Sequence, residues 1–195
     1  MTALLALSRL IDRVNEIIGR VAGYAILLAV LISAGNAVIR KVAPQYSSNA
    51  WLEAQWYLFG AAFLLAAALT LKQNEHIRID IVYGLWRRRS QHWIDLFGHV
   101  LFLLPFCIVM LIYLFPYVSR SFNSGEVSTN AGGLIIWPAK GLLLVGFIML
   151  TAQAISEIIK KIAVMSGVIE DPTPFVSSHD AATAEAEALI EEIKK

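Results

Sequence analysis

Residues 96–119, LFGHVLFLLPFCIVMLIYLFPYVS, form an unbroken run of 24 residues without a charged side chain. About 20 mostly apolar residues, rising 1.5 Å each along a helix, cross the roughly 30 Å hydrocarbon core of a bilayer. Backbone amides in lipid must find hydrogen-bond partners within their own segment, and only a helix supplies them in a single stretch. The run therefore predicts a membrane-spanning α-helix.

Three further runs have the same character. Residues 21–39 and 54–71 carry no charge, and residues 127–156 carry only Lys140. The chain is 57% hydrophobic and 16% charged, whereas soluble domains have roughly 25% charged residues. A soluble protein with four buried helices would need polar helices around them, which the sequence does not offer. We therefore predict an all-α integral membrane protein with four transmembrane helices, at about 21–39, 51–71, 93–118 and 134–157.

The segments outside these spans predict two flanking regions. Residues 1–20 have apolar side chains at spacings of three and four with charged residues between them, which is typical of an amphipathic helix lying along the membrane surface. An N-terminal extension of the first span is the alternative. Residues 161–195 form a cytoplasmic linker and an acidic tail, so that the membrane domain covers residues 21–160.

The positive charges predict the orientation, because cytoplasmic loops carry an excess of lysine and arginine. With the N-terminus inside, the outer side holds only Arg40, Lys41 and Arg120, with Lys140 near the interface. The inner side holds ten cations, namely Arg9, Arg13, Arg20, Lys72, Arg78, Arg87, Arg88, Arg89, Lys160 and Lys161. Both ends are therefore predicted to be cytoplasmic.

Motifs for catalysis or cofactor binding are missing from the sequence. The chain has no phosphate-binding GxxxxGK[ST] loop, no HExxH zinc motif and no GxSxG elbow. The single cysteine, Cys107, cannot form an intrachain disulfide, and the net charge of +1 gives no reason to expect a nucleic-acid partner. We therefore predict no enzyme activity, no cofactor and no metal site.

A few polar residues stand out against the apolar background. Glu53, at the outer entrance of the second span, is either a capping carboxylate at a helix N-terminus or a contact to a partner subunit. Asn36, inside the first span, is expected to hydrogen-bond to a neighbouring helix. His92 and His99 share one helix face, as haem ligands could, but such a haem needs a second ligand from a facing helix. Gln153, Glu157 and Lys160 are interpreted as interfacial polar residues.

Several segments, taken in order, resemble one known family. These are Asn-Ala-Val-Ile-Arg at 36–40, Trp-Leu-Glu at 51–53, His-Ile-Arg-Ile-Asp at 76–80 and Gly-Glu-Val-Ser-Thr-Asn-Ala-Gly-Gly-Leu at 125–134, followed by Trp-Pro-Ala-Lys at 137–140. Over roughly residues 8–165 the chain resembles the small membrane subunit, DctQ, of tripartite ATP-independent periplasmic (TRAP) transporters. The 128–133 loop is most similar to the mannitol/chloroaromatic-like subgroup, although Ile-Ile-Trp follows Gly-Leu where a proline is common.

The resemblance implies a function that spacing alone does not show. In that family the small subunit partners a large permease subunit in the bacterial inner membrane, which carries a substrate, typically an organic acid, on a sodium gradient. A periplasmic binding protein delivers the substrate, and the small subunit enlarges the static scaffold and helps to dock that protein. Membrane lipids surround it. The residues expected at partner interfaces are Asn36, Arg40, Glu53, His76, Arg78, Asp80, Arg120, Glu126, Trp137 and Lys140.

Two other functional classes stay open at this point. A four-helix redox membrane subunit of the cytochrome b type would give a Soret band in the purified protein. A self-sufficient small exporter would transport a solute when reconstituted by itself.

Overall fold

A computed structural model of the chain describes residues 2–74 and 88–170. Four helical spans in this part are long and apolar enough to cross a membrane, namely Thr2–Val42, Asn49–Gln73, Arg89–Ser124 and Trp137–Met165. We label the helices α1 (Thr2–Val42), α2 (Asn49–Gln73), α3 (Arg88–Gly98), α4 (Leu104–Ser124) and α5 (Trp137–Met165). A π-helical turn, His99–Leu103, joins α3 to α4 in one span, and a 3₁₀ turn, Pro44–Tyr46, lies between α1 and α2. The predicted all-α membrane architecture is confirmed.

Contacts between side chains show how the spans alternate in direction. Glu16 near the start of α1 pairs with Lys72 at the end of α2, and Ser8 of α1 meets Ser156 late in α5. Asp95 of α3 pairs with Lys161 of α5. The first and third spans therefore run opposite to the second and fourth. Following the predicted orientation, we call the end with the start of α1 the inner end and the opposite one the outer end.

The first helix is longer than the sequence suggested. One helix of 41 residues contains both the segment predicted to lie along the membrane surface and the first span. It passes residue 20 without a break, so the alternative of an N-terminal helix extension describes the structure. The physical reason lies in the partner that α1 finds along its inner half, where its polar side chains contact α5 instead of lipid headgroups.

A seam of small and polar residues holds α1 in the bundle. Ser8, Asn15, Ala22, Ala29 and Asn36 are all buried and lie seven residues apart. A spacing of seven keeps a row of side chains on the same face of two packed helices. Large apolar residues of α1 such as Leu10, Ile17 and Val30 point outward instead. Small buried and large exposed side chains are the pattern expected of a helix that packs against protein on one face and lipid on the other.

Two glycines show how closely the spans approach. A Cβ atom on Gly19 of α1 would lie 2.7 Å from the Cβ of Leu69, and one on Gly146 of α5 would lie 2.9 Å from the Cβ of Leu64. Because glycine has no side chain beyond a hydrogen atom, α2 can pack this close to α1 and α5.

The third span contains two prolines, Pro105 and Pro116, and continues past both. The π-helical turn His99–Leu103 lies just before Pro105, and the Leu104 amide donates to the His99 carbonyl five residues earlier. The span was expected to end near Pro116. Instead α4 continues through Pro116 to Ser124 and ends at Gly125, whose φ of 61° is left-handed. A proline removes only one backbone bond, whereas ending the helix there would expose several.

Candidate functional site

Polar side chains collect at both ends of the bundle, and the larger collection lies at the inner end. Asp12 of α1 is its centre. The Asp12 carboxylate accepts hydrogen bonds from Ser156 Oγ at 2.7 Å, Gln153 Nε2 at 2.8 Å and Lys160 Nζ at 3.0 Å, all from α5. Asn15 Nδ2 donates to Gln153 Oε1 at 2.8 Å. Gln153 is fully buried. These contacts replace the water that the polar groups of α1 would otherwise need.

Ion pairs extend this arrangement to all four spans. Glu16 of α1 accepts from Lys72 of α2 at 2.6 Å, and Asp95 of α3 accepts from Lys161 of α5 at 2.8 Å. Lys160 also pairs with Glu157 at 2.5 Å. We call the set the inner cluster, and its members are Ser8, Asp12, Asn15, Glu16, Lys72, Asp95, Gln153, Ser156, Glu157, Lys160 and Lys161. Each carboxylate of the inner cluster forms an ion pair with a lysine, and most of these pairs link the inner ends of two different helices.

The inner cluster corrects two interpretations made from the sequence. Asp12 and Glu16 were placed on a face that meets the membrane surface, yet that face packs against α5 and α2, and apolar residues such as Leu7 and Val14 are outside. Gln153 was taken as an interfacial residue, yet it is buried between α1 and α5. A helix in lipid lowers its free energy by turning polar groups toward protein partners, so the polar face of α1 lies against the other helices.

At the outer end, Glu53 organises the connection between α4 and α5. Its carboxylate accepts from Ser128 Oγ, from Asn130 Nδ2 at 2.8 Å and from the Leu134 amide at 2.6 Å. The role of N-terminal cap on α2 belongs to Ser48, whose hydroxyl accepts from the Ala50 amide at 3.2 Å. The capping interpretation of Glu53 is therefore wrong, because it lies beyond the first free amides of the helix and within reach of the loop.

The loop that Glu53 holds, residues 125–136, is a compact turn. Val127 and Ile135 form an antiparallel bridge, and the Ser128 amide donates to the Leu134 carbonyl at 2.9 Å. Gly132 has a φ of 70°, which is costly for other residues. At Gly133 a Cβ would lie 2.5 Å from the Ser128 Cβ. We call residues 125–136 the outer loop. Gly132 and Gly133 therefore allow the chain to turn tightly here.

A second carboxylate fixes the other side of the outer loop. Glu126 accepts hydrogen bonds from Lys140 Nζ and from Ser121 Oγ. The ammonium of Lys140, and then the hydroxyl of Ser121, hold the pKa of Glu126 below its usual value. Lys140 also lies 4.2 Å from the centre of the Tyr117 ring, a cation–π geometry. The Lys140 side chain is therefore held within the protein by Glu126 and Tyr117.

The remaining predicted interface residues fall into four groups. Arg40 and Arg120 are exposed at the outer end, where Arg40 Nε donates to Ser47 Oγ at 3.3 Å and Arg120 Nε to the Pro116 carbonyl at 3.2 Å. Trp137 opens α5 and packs edge-to-face on Phe122 with 5.2 Å between ring centres. Asn36 is buried in the α1 seam, and its Oδ1 has no hydrogen-bond partner among the described residues. His76, Arg78 and Asp80 lie outside the described residues.

The histidines considered as haem ligands lie near the inner end. His92 is buried, and His99 Nδ1 lies 2.5 Å from the Asp95 carbonyl oxygen. A bond of this kind occupies one ring nitrogen of His99 within its own helix.

Sequence reasoning missed Ser8, Asn15 and Ser156. A signal for them was present, since Ser8, Asn15, Ala22, Ala29 and Asn36 repeat every seven residues with small or polar side chains in an apolar helix. That spacing marks the protein-facing side of a membrane helix. The prediction for this segment instead rests on its apolar residues, spaced three and four apart, which lie on the opposite face of the helix.

Comparison with known families decides the identity of this four-helix unit. The family model for the DctQ component of tripartite ATP-independent periplasmic transporters matches residues 29–164. The chain belongs to the DctQ family. It is thus a small membrane subunit of a TRAP transporter and a component of a three-part assembly. The match begins at Ala29, whereas the resemblance noted from sequence motifs began near residue 8. No curated protein and no solved structure gave a significant match.

The region matched by the family model includes residues from both polar ends of the bundle. The outer loop and the cations Arg40 and Arg120 lie within the region that matches the DctQ model, as do Gln153, Ser156 and Lys160 of the inner cluster. The α1 half of the inner cluster, including Asp12, lies before it. Membership favours the transporter subunit over the redox subunit and the self-sufficient exporter that the sequence left open.

Proposed function

We propose that this DctQ subunit is a static, non-catalytic scaffold of the inner membrane that holds the large permease subunit and helps to dock the periplasmic binding protein. The transport step is sodium-driven uptake of an organic acid, and the substrate is bound by the other chains. The observation that supports a static role is the inner cluster. Its ion pairs link the first span to the second and to the fourth, and the third span to the fourth. A unit tied in this way resists sliding of one helix past another.

The outer end supports the docking role through its charges. Of the two carboxylates described there, Glu126 pairs with Lys140, whereas Glu53 is hydrogen-bonded by the outer loop and is the one negative charge to set against the cations. The exposed cations Arg40, Lys41 and Arg120 have no carboxylate partner in the described residues. The surface offered to the periplasm is therefore positive, and we expect the docking face of the binding protein to be acidic, which steers encounter at low ionic strength.

Co-purification tests the assignment as a subunit. With a tag on this chain, mild-detergent extraction of native membranes should recover a large polytopic permease at fixed stoichiometry. Recovery of the tagged chain alone would contradict the proposal. A colourless preparation without a Soret band is the matching spectroscopic result.

An uptake assay tests the docking role separately. The complex is reconstituted in vesicles with the binding protein outside, and Arg40 and Arg120 are replaced together by glutamine. We expect a lower apparent affinity for the binding protein and a weaker dependence of uptake on salt, with an unchanged maximal rate. The matched control is Arg9→Gln with Arg13→Gln, two exposed arginines at the inner end. Equal effects of the two pairs would contradict docking at the outer end.

A further inference from the structure

An elongated cleft opens between the outer part of α2 and the start of α5. Its upper part has a volume of about 560 Å³ and is bordered by Asn49, Glu53, Trp56, Tyr57 and Asn130. A second cavity of about 220 Å³ continues below it and shares Trp56, Tyr57 and Ala139 with the first. The two together form one cleft along the outer half of the membrane domain.

The chemistry of the cleft changes along its length. Its upper part carries amide and hydroxyl groups and one carboxylate beside apolar residues such as Leu52 and Ile136, whereas Gly60, Leu64 and Leu142 line the lower part. Gly60 deepens it, because no atom outside its own helix lies within 4 Å of the place where a Cβ would stand. Trp56, whose residue surface is 75% exposed, lies where the two parts meet. An end of mixed polarity above an apolar slot, with tryptophan between, follows the polarity of a bilayer leaflet at its interface.

We propose that this cleft binds one membrane phospholipid with an amine headgroup. The headgroup ammonium lies beside Glu53 and Asn130, and one acyl chain lies along Gly60, Leu64 and Leu142 with its upper carbons against Trp56. The proposal concerns a site on this chain and does not depend on the transport function.

Charge decides the class of headgroup. Glu53 is the one formal charge among the residues that line the two cavities. Its carboxylate receives hydrogen bonds from an amide, a hydroxyl and a backbone N–H, all of them neutral donors. The negative charge is therefore not cancelled within the described residues, and it attracts an ammonium while repelling a phosphatidylglycerol headgroup. Phosphatidylethanolamine has the required amine.

Fluorescence quenching by brominated lipids tests the proposal on the full-length chain in nanodiscs. The signal of Trp56 is isolated as the difference between the protein and its Trp56→Phe variant. At equal mole fraction, brominated phosphatidylethanolamine should quench Trp56 with an apparent affinity about two- to fivefold higher than brominated phosphatidylglycerol, the size of a solvent-accessible ion pair. Equal quenching by the two lipids would overturn the headgroup assignment.

Filling the slot provides the second arm of the experiment. Gly60→Leu places a side chain where the acyl chain would lie, so it should abolish the difference between the two lipids. Ala139→Leu fills the same slot from α5 and should act alike, which guards against one variant failing to fold. Gly23→Leu is the matched control, since Gly23 of α1 also has open space at its Cβ position and should retain the preference. If both slot variants retain it, the site is wrong.

A protein occupant would give a different result. In the purified complex with the large permease subunit, a lipid site stays accessible to brominated phosphatidylethanolamine. If Trp56 is quenched in the isolated chain but shielded from every brominated lipid in the complex, the cleft is a subunit interface, and the lipid proposal is overturned.

Discussion

Lys160 Nζ of the last described helix lies 3.0 Å from Asp12 Oδ2 of the first, across 148 positions of sequence. Both side chains are largely shielded, and Ser156 and Gln153 donate to the same carboxylate. Charges removed from water need such complete sets of partners to be tolerated. The pair therefore makes the inner half of α1 part of the bundle rather than a segment resting on the membrane surface.

Breaking this pair from one side should destabilise the bundle. Lys160→Met leaves the Asp12 carboxylate shielded but without its counter-charge, and we expect a loss of about 1–3 kcal/mol in the free energy of unfolding. The measurement is an unfolding titration of the full-length protein from mild detergent into a denaturing one. Asp12→Asn combined with Lys160→Met should recover part of the loss, because only Glu157 then lacks its counter-charge. Arg13→Met, at an exposed position of α1, is the control; an equal loss there would contradict a specific pair.

The close approach of α2 and α5 predicts opposite effects of one substitution at two glycines of α5. Gly146→Ala places a Cβ 2.9 Å from the Leu64 Cβ and 3.1 Å from its carbonyl oxygen, so the helices must separate. We expect a loss of about 1–3 kcal/mol. Gly141→Ala meets no atom within 4 Å and should be neutral or stabilising by up to about 1 kcal/mol, through helix propensity. Thermal melts in detergent compare the two, and equal melting temperatures would refute the close contact.

The outer loop should loosen in acid. Because the pKa of Glu126 is held below its usual value, the folded protein binds a proton there less readily than the unfolded chain. The stabilisation is complete above the ordinary value of 4.5 and is lost as the pH falls through the lower folded value. A spin label at Thr129, in a Cys107→Ser background, should gain mobility over that range. Glu126→Gln should be mobile at every pH, and a label that stays rigid in that variant would contradict the role of Glu126.

Glu53 makes a separate prediction for the same loop. Glu53→Ala removes the acceptor of three hydrogen bonds that come from Ser128, Asn130 and Leu134. We expect the Thr129 label to become mobile at neutral pH, while α2 itself is retained because Ser48 caps it. Circular dichroism provides the control for helix content. A rigid loop in this variant would show that the backbone bridge of Val127 and Ile135 is sufficient.

Replacing Asn36 should raise the stability of the protein, whereas the substitutions at Lys160 and Gly146 should lower it. The Oδ1 of Asn36 is buried without a partner in the described part of the chain, and such an atom costs about 1–3 kcal/mol. Asn36→Leu should therefore raise the stability of the isolated subunit, measured by the same unfolding titration. If Asn36 instead contributes through helix packing hydrogen bonds, the variant will be less stable than the parent. If the tagged Asn36→Leu chain still co-purifies with the permease at the parent's yield, Asn36 acts in helix packing and not in assembly of the complex.

Several features were open to prediction because they are local. A charge-free run of 24 residues needs no neighbours to be read as a span, and cations near its ends need none to suggest an orientation. The glycine pair at 132–133 likewise predicts a tight turn from backbone freedom alone. Extent was harder. Pro116 looked like a helix end, but α4 passes it, because the cost of one missing bond depends on what the alternative exposes.

The candidate site was predicted less well. Glu53, Glu126 and Lys140 were singled out by sequence as residues at partner interfaces, which stays a prediction, and the hydrogen bonds that join all three to the outer loop and its flanks were not foreseen. Asp12 and Gln153 are 141 residues apart, and no spacing rule connects them. Their roles depend on which helix faces which.

By itself the sequence determined that the chain has four apolar spans, each long enough to cross a membrane, and which family it resembles, since hydropathy and short motifs are properties of single segments. Only the tertiary structure decided where the polar residues of α1 point. Both faces of an amphipathic helix look equally plausible as the outer one until the environment is known. In lipid the polar face gains partners by turning inward, and α5 supplies Gln153, Ser156 and Lys160 at the required height.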